Sequence, residues 1–410
     1  MRRVELDGLL VLGEGSLPEL RLNSPPGGWF PALQELYWCI TESNLSHIDM
    51  FFSPNLRKIF IHTSLFWAGS EVPYDIHSAV TSAISALPTS ALQSLLVGAD
   101  RGTGRQVPWA CFNDAFSSVI LRCGSSFTQF TFPTPLSDAA VDHLLGLPRL
   151  RTWRVEGPPP NYSASSLPRV FPPLTEFILG GGRAREWLSL VKRVDGRASA
   201  MQDVSSLPRL TESLESLAIE GLLNPIIDNP FASQVQMFRN LGSLHIRVDC
   251  TSGQCNFKLN NDKVTELATV LRQLKSLLLG YTCRGNTCAT TVACLLPISV
   301  YCLKLEHLEI HFNTSNIVDD LENVSVHPRF QELRSLPRCK LACLDVWRTP
   351  LPLDEAGSFE TVANGLVGIF PSLLFCQGFG VNWSLLNRRI AETPRQGYHR
   401  SRDAMAGWIR

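Results

Sequence analysis

The stretch Leu241-Gly242-Ser243-Leu244-His245-Ile246 returns 33 residues later as Leu274-Lys275-Ser276-Leu277-Leu278-Leu279. The shared pattern, apolar-x-x-apolar-x-apolar, decides the fold. Working towards the amino terminus, it recurs at Leu214-Leu217-Ile219, Leu174-Phe177-Leu179, Leu150-Trp153-Val155, Phe127-Phe130-Phe132, Leu92-Leu95-Val97, Leu56-Ile59-Ile61 and Leu33-Leu36-Trp38. Towards the carboxyl terminus it gives Leu305-Leu308-Ile310 and Leu341-Leu344-Val346, with a degraded copy starting at Leu373. The last two positions of each triplet are two apart, the period at which strand side chains share a face. Each copy therefore reads as a short strand with one buried side, its first apolar residue tucked into the preceding turn. Several copies are preceded by Pro, as in Phe30-Pro31, Leu147-Pro148, Phe171-Pro172 and Phe370-Pro371. A residue with fixed φ and no N–H suits the start of a strand.

Between copies the period changes. Val264, Leu267, Ala268, Leu271 and Leu274 recur three or four apart, which predicts a helix with one apolar face over 262–274. Ser137 is a good N-cap for a second helix over 138–145, stopped at Gly146. One strand-plus-helix unit cannot bury both its apolar faces alone, so the copies must stack. The expected architecture is an α/β solenoid shaped as a horseshoe, with parallel strands on the concave face and helices and irregular segments on the convex face. Intervals between copies run from 23 to 40 residues. Regular leucine-rich units span about 20–29, so insertions are expected at 68–91 and 182–213. The expected division is a capping segment or truncated repeat over 1–30, a solenoid over 31–380 and a poorly ordered tail over 381–410.

Leu147-Pro148-Arg149-Leu150-Arg151-Thr152-Trp153, Phe171-Pro172-Pro173-Leu174-Thr175-Glu176-Phe177 and Leu336-Pro337-Arg338-Cys339 resemble the leucine-rich half of fungal F-box proteins. The resemblance covers residues 30–385. It implies a protein substrate captured by the repeats. In that family an N-terminal F-box docks on a Skp-class adaptor, and through it on a cullin-type ubiquitin ligase. The residues ahead of Leu33, with Pro18, Pro25, Pro26 and Gly27-Gly28, do not read as an F-box helical bundle. The resemblance therefore rests on the repeats, and the adaptor and cullin are implied partners only where an F-box accompanies them. A free-standing repeat scaffold is the alternative reading.

Lys plus Arg and Asp plus Glu both number 37, and 44% of the 410 residues are hydrophobic. Such a chain buries a core and lacks the bulk charge that draws a protein to nucleic acid or an anionic membrane. Glu5 and Asp7 interrupt any apolar signal core after Met1-Arg2-Arg3, so a cytoplasmic or nuclear location is expected. The arginines after Asn387 read as a solvated end.

Residues between and just after the buried pair should point to the open side of the strands and stack into columns. The expected partner-binding set is Tyr37, Phe60, Arg154, Glu156, His245, Arg247, His307, Glu309, His311, Asp345 and Trp347. Aromatic residues and Arg are the usual interface anchors. His307, Glu309 and His311 alternate along one strand, but the outer two lie ~13 Å apart, so a polar docking patch is the reading there. No nucleophile–base–orienter trio, phosphate loop or zinc-protease signature is present. Binding without chemistry or cofactor is thus expected, an unrecognised α/β enzyme being the rival. Cys250 and Cys255, then Cys283 and Cys288, repeat the C-x4-C spacing 33 residues apart. Duplicated loop thiols are the plainest reading, with tetrahedral zinc or a disulfide as alternatives.

Overall fold

The computed structural model describes residues 3–6, 23, 29–40, 45–63, 73–98, 109–155, 157, 159–160, 171–180, 184–200, 210–220, 234–250, 259–283, 289–326, 338–346, 351–353, 356–378 and 380–393. Two compact units divide the chain, Met1–Glu220 and Gly221–Arg410.

The first unit carries strands β1 (Arg3–Leu6), β2 (Glu35–Ile40), β3 (Lys58–Thr63), β4 (Ser94–Val97), β5 (Gln129–Thr131), β6 (Thr152–Val155), β7 (Glu176–Leu179) and β8 (Ser216–Glu220). They pair in chain order and all in parallel. The second unit carries β9 (Ser243–Cys250), β10 (Ser276–Cys283), β11 (His307–Ile310), β12 (Cys343–Asp345) and β13 (Phe375–Gln377), again consecutive and parallel. Parallel neighbours require crossovers. In the first unit these include helices α1 (Tyr74–Ser85), α2 (Asn113–Leu121), α3 (Asp138–Leu145), α4 (Ala184–Ala200) and α5 (Leu210–Ser213). The second unit has α6 (Asn261–Val270), α7 (Leu295–Tyr301), α8 (Ile317–Val326), α9 (Ala356–Ile369) and α10 (Val381–Glu392). Each unit is an open α/β repeat sheet of the leucine-rich type. No helix among the described residues is long and apolar enough to cross a membrane.

The triplets occupy equivalent places. In register, Leu36, Ile59, Leu95, Phe130, Trp153, Phe177 and Leu217 are successive partners, as are Leu244, Leu277, Leu308, Leu344 and Cys376. Every residue of the eleven triplets is buried, none more than 5% exposed. The degraded copy follows the same pattern, because Leu373 just ahead of β13 and Cys376 on it are fully buried. Helices cover this face. Phe116 of α2 meets Phe132 at 4.4 Å between ring centroids. Trp187 of α4 stands edge-on to Trp153 at 5.4 Å and to Phe177 at 6.1 Å. Its indole N–H donates to the Gly157 carbonyl at 3.0 Å. Gly157 has φ +83°, and a Cβ there would sit 2.9 Å from Pro135, so only Gly serves at this turn.

The register itself is held by one repeated backbone device. The residue after the first apolar position offers its carbonyl to two consecutive N–H groups of the next copy. The Gln34 carbonyl accepts from Arg57 and Lys58 at 2.8 and 3.0 Å, and the Arg57 carbonyl accepts from Gln93 and Ser94 at 2.7 and 2.9 Å. Gln93, Thr128, Arg151 and Thr175 continue the series. In the second unit Gly242, Lys275, Glu306 and Ala342 do the same. A carbonyl has two lone pairs, so the double acceptance leaves neither N–H orphaned where the chain turns into the strand.

Several expectations change. Helices α1 and α4 lie within 68–91 and 182–213, so the described parts of those supposed insertions include crossover helix. The helix expected over 262–274 stops at Val270 and starts from Asn260, whose side chain accepts from the Lys263 N–H at 2.9 Å. Ser137 caps α3 as expected, accepting from the Ala140 N–H at 3.3 Å, but Gly146 is right-handed, with φ −83°. The first thirty residues contribute β1, whose Val4 pairs with Leu36. Past residue 380, where a tail is expected, α10 buries Trp383, Leu386 and Ile390, so the ordered body reaches Glu392.

Helix α10 also protects the last strand. Asn387 Oδ1 accepts from the Cys376 N–H at 2.6 Å, and its Nδ2 donates to the Cys376 carbonyl at 2.5 Å. The amide thus imitates one more strand at a sheet edge that would otherwise invite pairing with another chain. Asn387→Ala should lower stability by about 1–3 kcal/mol and raise self-association, read by urea denaturation and light scattering. Leu277→Asp, a charge in the fully covered stack, should cost more than ~4 kcal/mol. Its expected result is loss of the second unit's cooperative unfolding transition in calorimetry.

Candidate functional site

The strand face opposite the triplets bears the columns anticipated from the alternation. In the first unit Tyr37 and Phe60, third residues of β2 and β3, are register partners. Their rings stack at 4.3 Å with only 6° between planes. The Arg3 guanidinium of β1 lies 4.2 Å from the Tyr37 ring centre, so a cation, a phenol and a phenyl ring form one row across three strands. Beside them Glu35 and Lys58, also register partners, pair at 3.1 Å. Further along, Arg154 of β6 reaches past β7 to Glu220 of β8, its Nη1 donating to Oε2 at 2.7 Å. The row thus carries a preformed aromatic patch at one place and a fixed charge pair at another. Both are half-buried, where an ion pair is worth at most about 1 kcal/mol to stability.

The second unit brings together residues of four strands. The His245 imidazole on β9 lies 2.9 Å from Ser243 Oγ and 3.4 Å from Ser276 Oγ. Arg247 is exposed on the same strand. His307 on β11 and His311 just past its end are half-buried, and burial lowers the His311 imidazole from its ordinary value. Glu309 lies between them and pairs in register with Leu278 on one side and Asp345 on the other.

Glu309 is the unusual member. It is only 6% exposed, and its Oε1 is buried with no hydrogen-bond partner. A Cβ on Gly280 would stand 2.8 Å from that oxygen. Gly280 therefore keeps clear the space over which the carboxyl lies, and any larger residue would contest it. Burial first, then the neighbouring Asp345 carboxylate, push the Glu309 carboxyl up to about 7, against a smaller downward pull from Arg247.

Of the expected set, the structure joins Tyr37 to Phe60 and gathers Arg247, Glu309 and Asp345 into one electrostatic group. Arg154 pairs with Glu220, a residue the sequence reading did not single out. Glu156 and Trp347 lie outside the described residues. Arg3, Glu220 and Gly280 were missed. The first precedes the first triplet and the third has no side chain to suggest a role, whereas Glu220 stands one past its copy, where the same rule places Glu156 and Arg247.

Cys250 and Cys283 are backbone neighbours in register, which is the placement the 33-residue offset implies. Cys255 and Cys288 lie outside the described residues. Among the described residues no group of three or more His, Cys, Asp or Glu is arranged to hold a metal. Other cysteines serve the turns. The Cys302 thiol points to the Ala268 and Leu271 carbonyls at 3.7 and 3.8 Å, and the Cys339 thiol to those of Cys302 and Leu305 at 3.1 and 3.6 Å. Burial raises the first to about 12 and the second to about 11, which keeps both as weak donors and poor nucleophiles. Among the described residues, cavities lie off the strand rows. One of about 270 Å³ is lined by residues of 314–319 with Pro352, Leu353 and Ser358. Another, about 640 Å³, lies between Asp138, Pro159, Pro160 and Arg185, Glu186, Ser189 and Arg193.

No family model matches the chain, and no curated protein matches it. Among solved structures it is similar to a chain of the crystal structure of the Rad7 and Elc1 complex in yeast. The TM-score is 0.37 and the identity 13%, over 79% of this chain and 78% of that one. The fold rests on strand register and burial, which need no support from so distant a likeness.

A buried carboxyl raised to about 7 couples folding to pH. Because its folded value lies above the ordinary 4.5, the stability it contributes is complete below the lower value and lost as pH rises through the upper one. Glu309→Gln should therefore match the parent near pH 5 and exceed it near pH 8 by about 1–3 kcal/mol. Urea midpoints at the two pH values check it.

Proposed function

We propose that this chain is a protein-binding repeat module and that the rows on its open strand faces are what the partner touches. The observation that carries this reading is the Arg3–Tyr37–Phe60 row. Its cation and two stacked rings stand on the face away from the helices, with their mutual orientation already set. Aromatic rings and guanidinium groups held in place before contact lose little freedom on binding, which is what makes them effective anchors. Helices cover the opposite side of these strands, so a polypeptide meets the sheet at these rows.

The resemblance of the 147–153, 171–177 and 336–339 phrases to the repeats of fungal F-box proteins extends the proposal. The captured polypeptide is a substrate presented for ubiquitin transfer, and attachment runs through a Skp-class adaptor to a cullin ligase. The chain performs no chemistry itself in this reading. A scaffold without ligase attachment differs only in the company it keeps.

Affinity capture from the source cells tests both levels. Tyr37→Ala with Phe60→Ala should reduce recovery of the bound protein at least tenfold, about 1.4 kcal/mol or more, with an unchanged urea midpoint for the first unit. A Skp-class adaptor or cullin among the recovered proteins supports the receptor form, and recovery of other stable partners alone supports the scaffold. Undiminished recovery by the double variant would place the contact elsewhere and end the proposal.

A further inference from the structure

We infer that Glu309, backed by Asp345, forms an acidic subsite on the open face of the second unit that receives one basic side chain, Lys or Arg, of the partner polypeptide. The inference rests on the binding reading above and names a chemical feature of what is bound.

Three observations lead there. First, Glu309 Oε1 is buried without a hydrogen-bond partner, an arrangement that costs a protein about 1–3 kcal/mol or more unless something supplies a donor. Second, that oxygen is held on the open side. Its neighbours in the strand, Leu308 and Ile310, are fully buried on the helix-covered side, and the carboxyl extends over Gly280 of the adjacent strand. The glycine leaves this position of the row without a side chain, and the Glu309 carboxyl fills that space. Third, Asp345 is the register partner of Glu309, and two carboxyl groups side by side favour a cation over any neutral donor.

The groups facing Glu309 define the rest of the subsite. Strand β9 contributes His245 and Arg247, β11 contributes His307, His311 follows just past its end, and β12 contributes Asp345 and Cys343. From β10 come Leu278 and the bare Gly280. Arg247 already draws the carboxyl towards ionisation, and a second cation would complete the step. A proton leaves Glu309 when the basic side chain arrives, so capture at this subsite strengthens as pH rises from about 6 to 8.

The test uses the whole chain and two blocked tripeptides, Gly-Arg-Gly and its neutral isostere Gly-citrulline-Gly, as probes. Carboxyl carbon NMR follows Glu309, assigned by the signal that Glu309→Gln removes. Saturating arginine tripeptide should lower the Glu309 titration midpoint by about one pH unit, and the citrulline peptide should leave it in place. Asp345→Asn should at least halve the shift. An unmoved midpoint, or equal movement with both peptides, overturns the subsite. In the cell-capture experiment, Glu309→Gln retaining full recovery while the Tyr37/Phe60 double variant loses it would overturn the subsite yet leave the module reading standing. Full recovery by both variants removes the module reading itself.

Discussion

Everything in either unit depends on a carbonyl that accepts twice. Within each unit, the residue after the first apolar position of a copy receives two successive N–H groups from the next copy, within 2.7–3.2 Å. A slip of one residue would break both bonds and would also turn every triplet side chain from the covered face to the open one. Hydrogen bonding and burial thus select the same register. That agreement lets strands of three or four residues, too short to be stable alone, hold position. It also explains why the residue making these bonds can vary freely: Gln34, Arg57, Thr128, Gly242 and Glu306 all serve, because only the backbone is used.

That freedom decides what the sequence can reveal. The triplets were legible because a face pressed against helices accepts only apolar side chains, at the strand period, whatever the spacing between copies. Outer segments were less legible. Helix α1 buries only Val80, Ala83 and Ile84, too few periodic positions to stand out, so its segment read as an insertion. Strand β1 was passed over although Met1, Val4 and Leu6 have the triplet spacing, its leading position being Met where the other copies have Leu or Phe. The columns followed directly from the alternation. Their chemistry did not, because it is made by neighbours remote in sequence. Nothing near Glu309 in the chain announces its burial, which comes from Gly280 and Asp345 on flanking strands. Arg154 likewise finds its counter-charge 66 residues away.

The same logic accounts for the buried cysteines that precede strands. Cys302 and Cys339 point their thiols at carbonyls left over where a preceding helix gives way to its turn, a role a small, weak donor fills without admitting water. Asn387 solves the corresponding problem beside β13, the last described strand, by taking up its Cys376 backbone groups. In both cases a polar side chain finishes what the repeat leaves incomplete.

The two open faces answer one physical question in opposite ways. On the first unit the row is satisfied before any partner comes, since Arg3 lies over Tyr37, Tyr37 on Phe60, and Arg154 holds Glu220. On the binding reading proposed above, such a surface would bind by shape and apolar area and give up little on contact. On the second unit Glu309 keeps an oxygen unmatched beside another carboxylate, at a cost in stability that the fold bears without any structural return. The triplets around it would pack equally well over a neutral amide, so packing does not require the acid. On that binding reading, an acid kept where packing does not require it would serve recognition, because specificity comes from groups that suit one partner and penalise the rest.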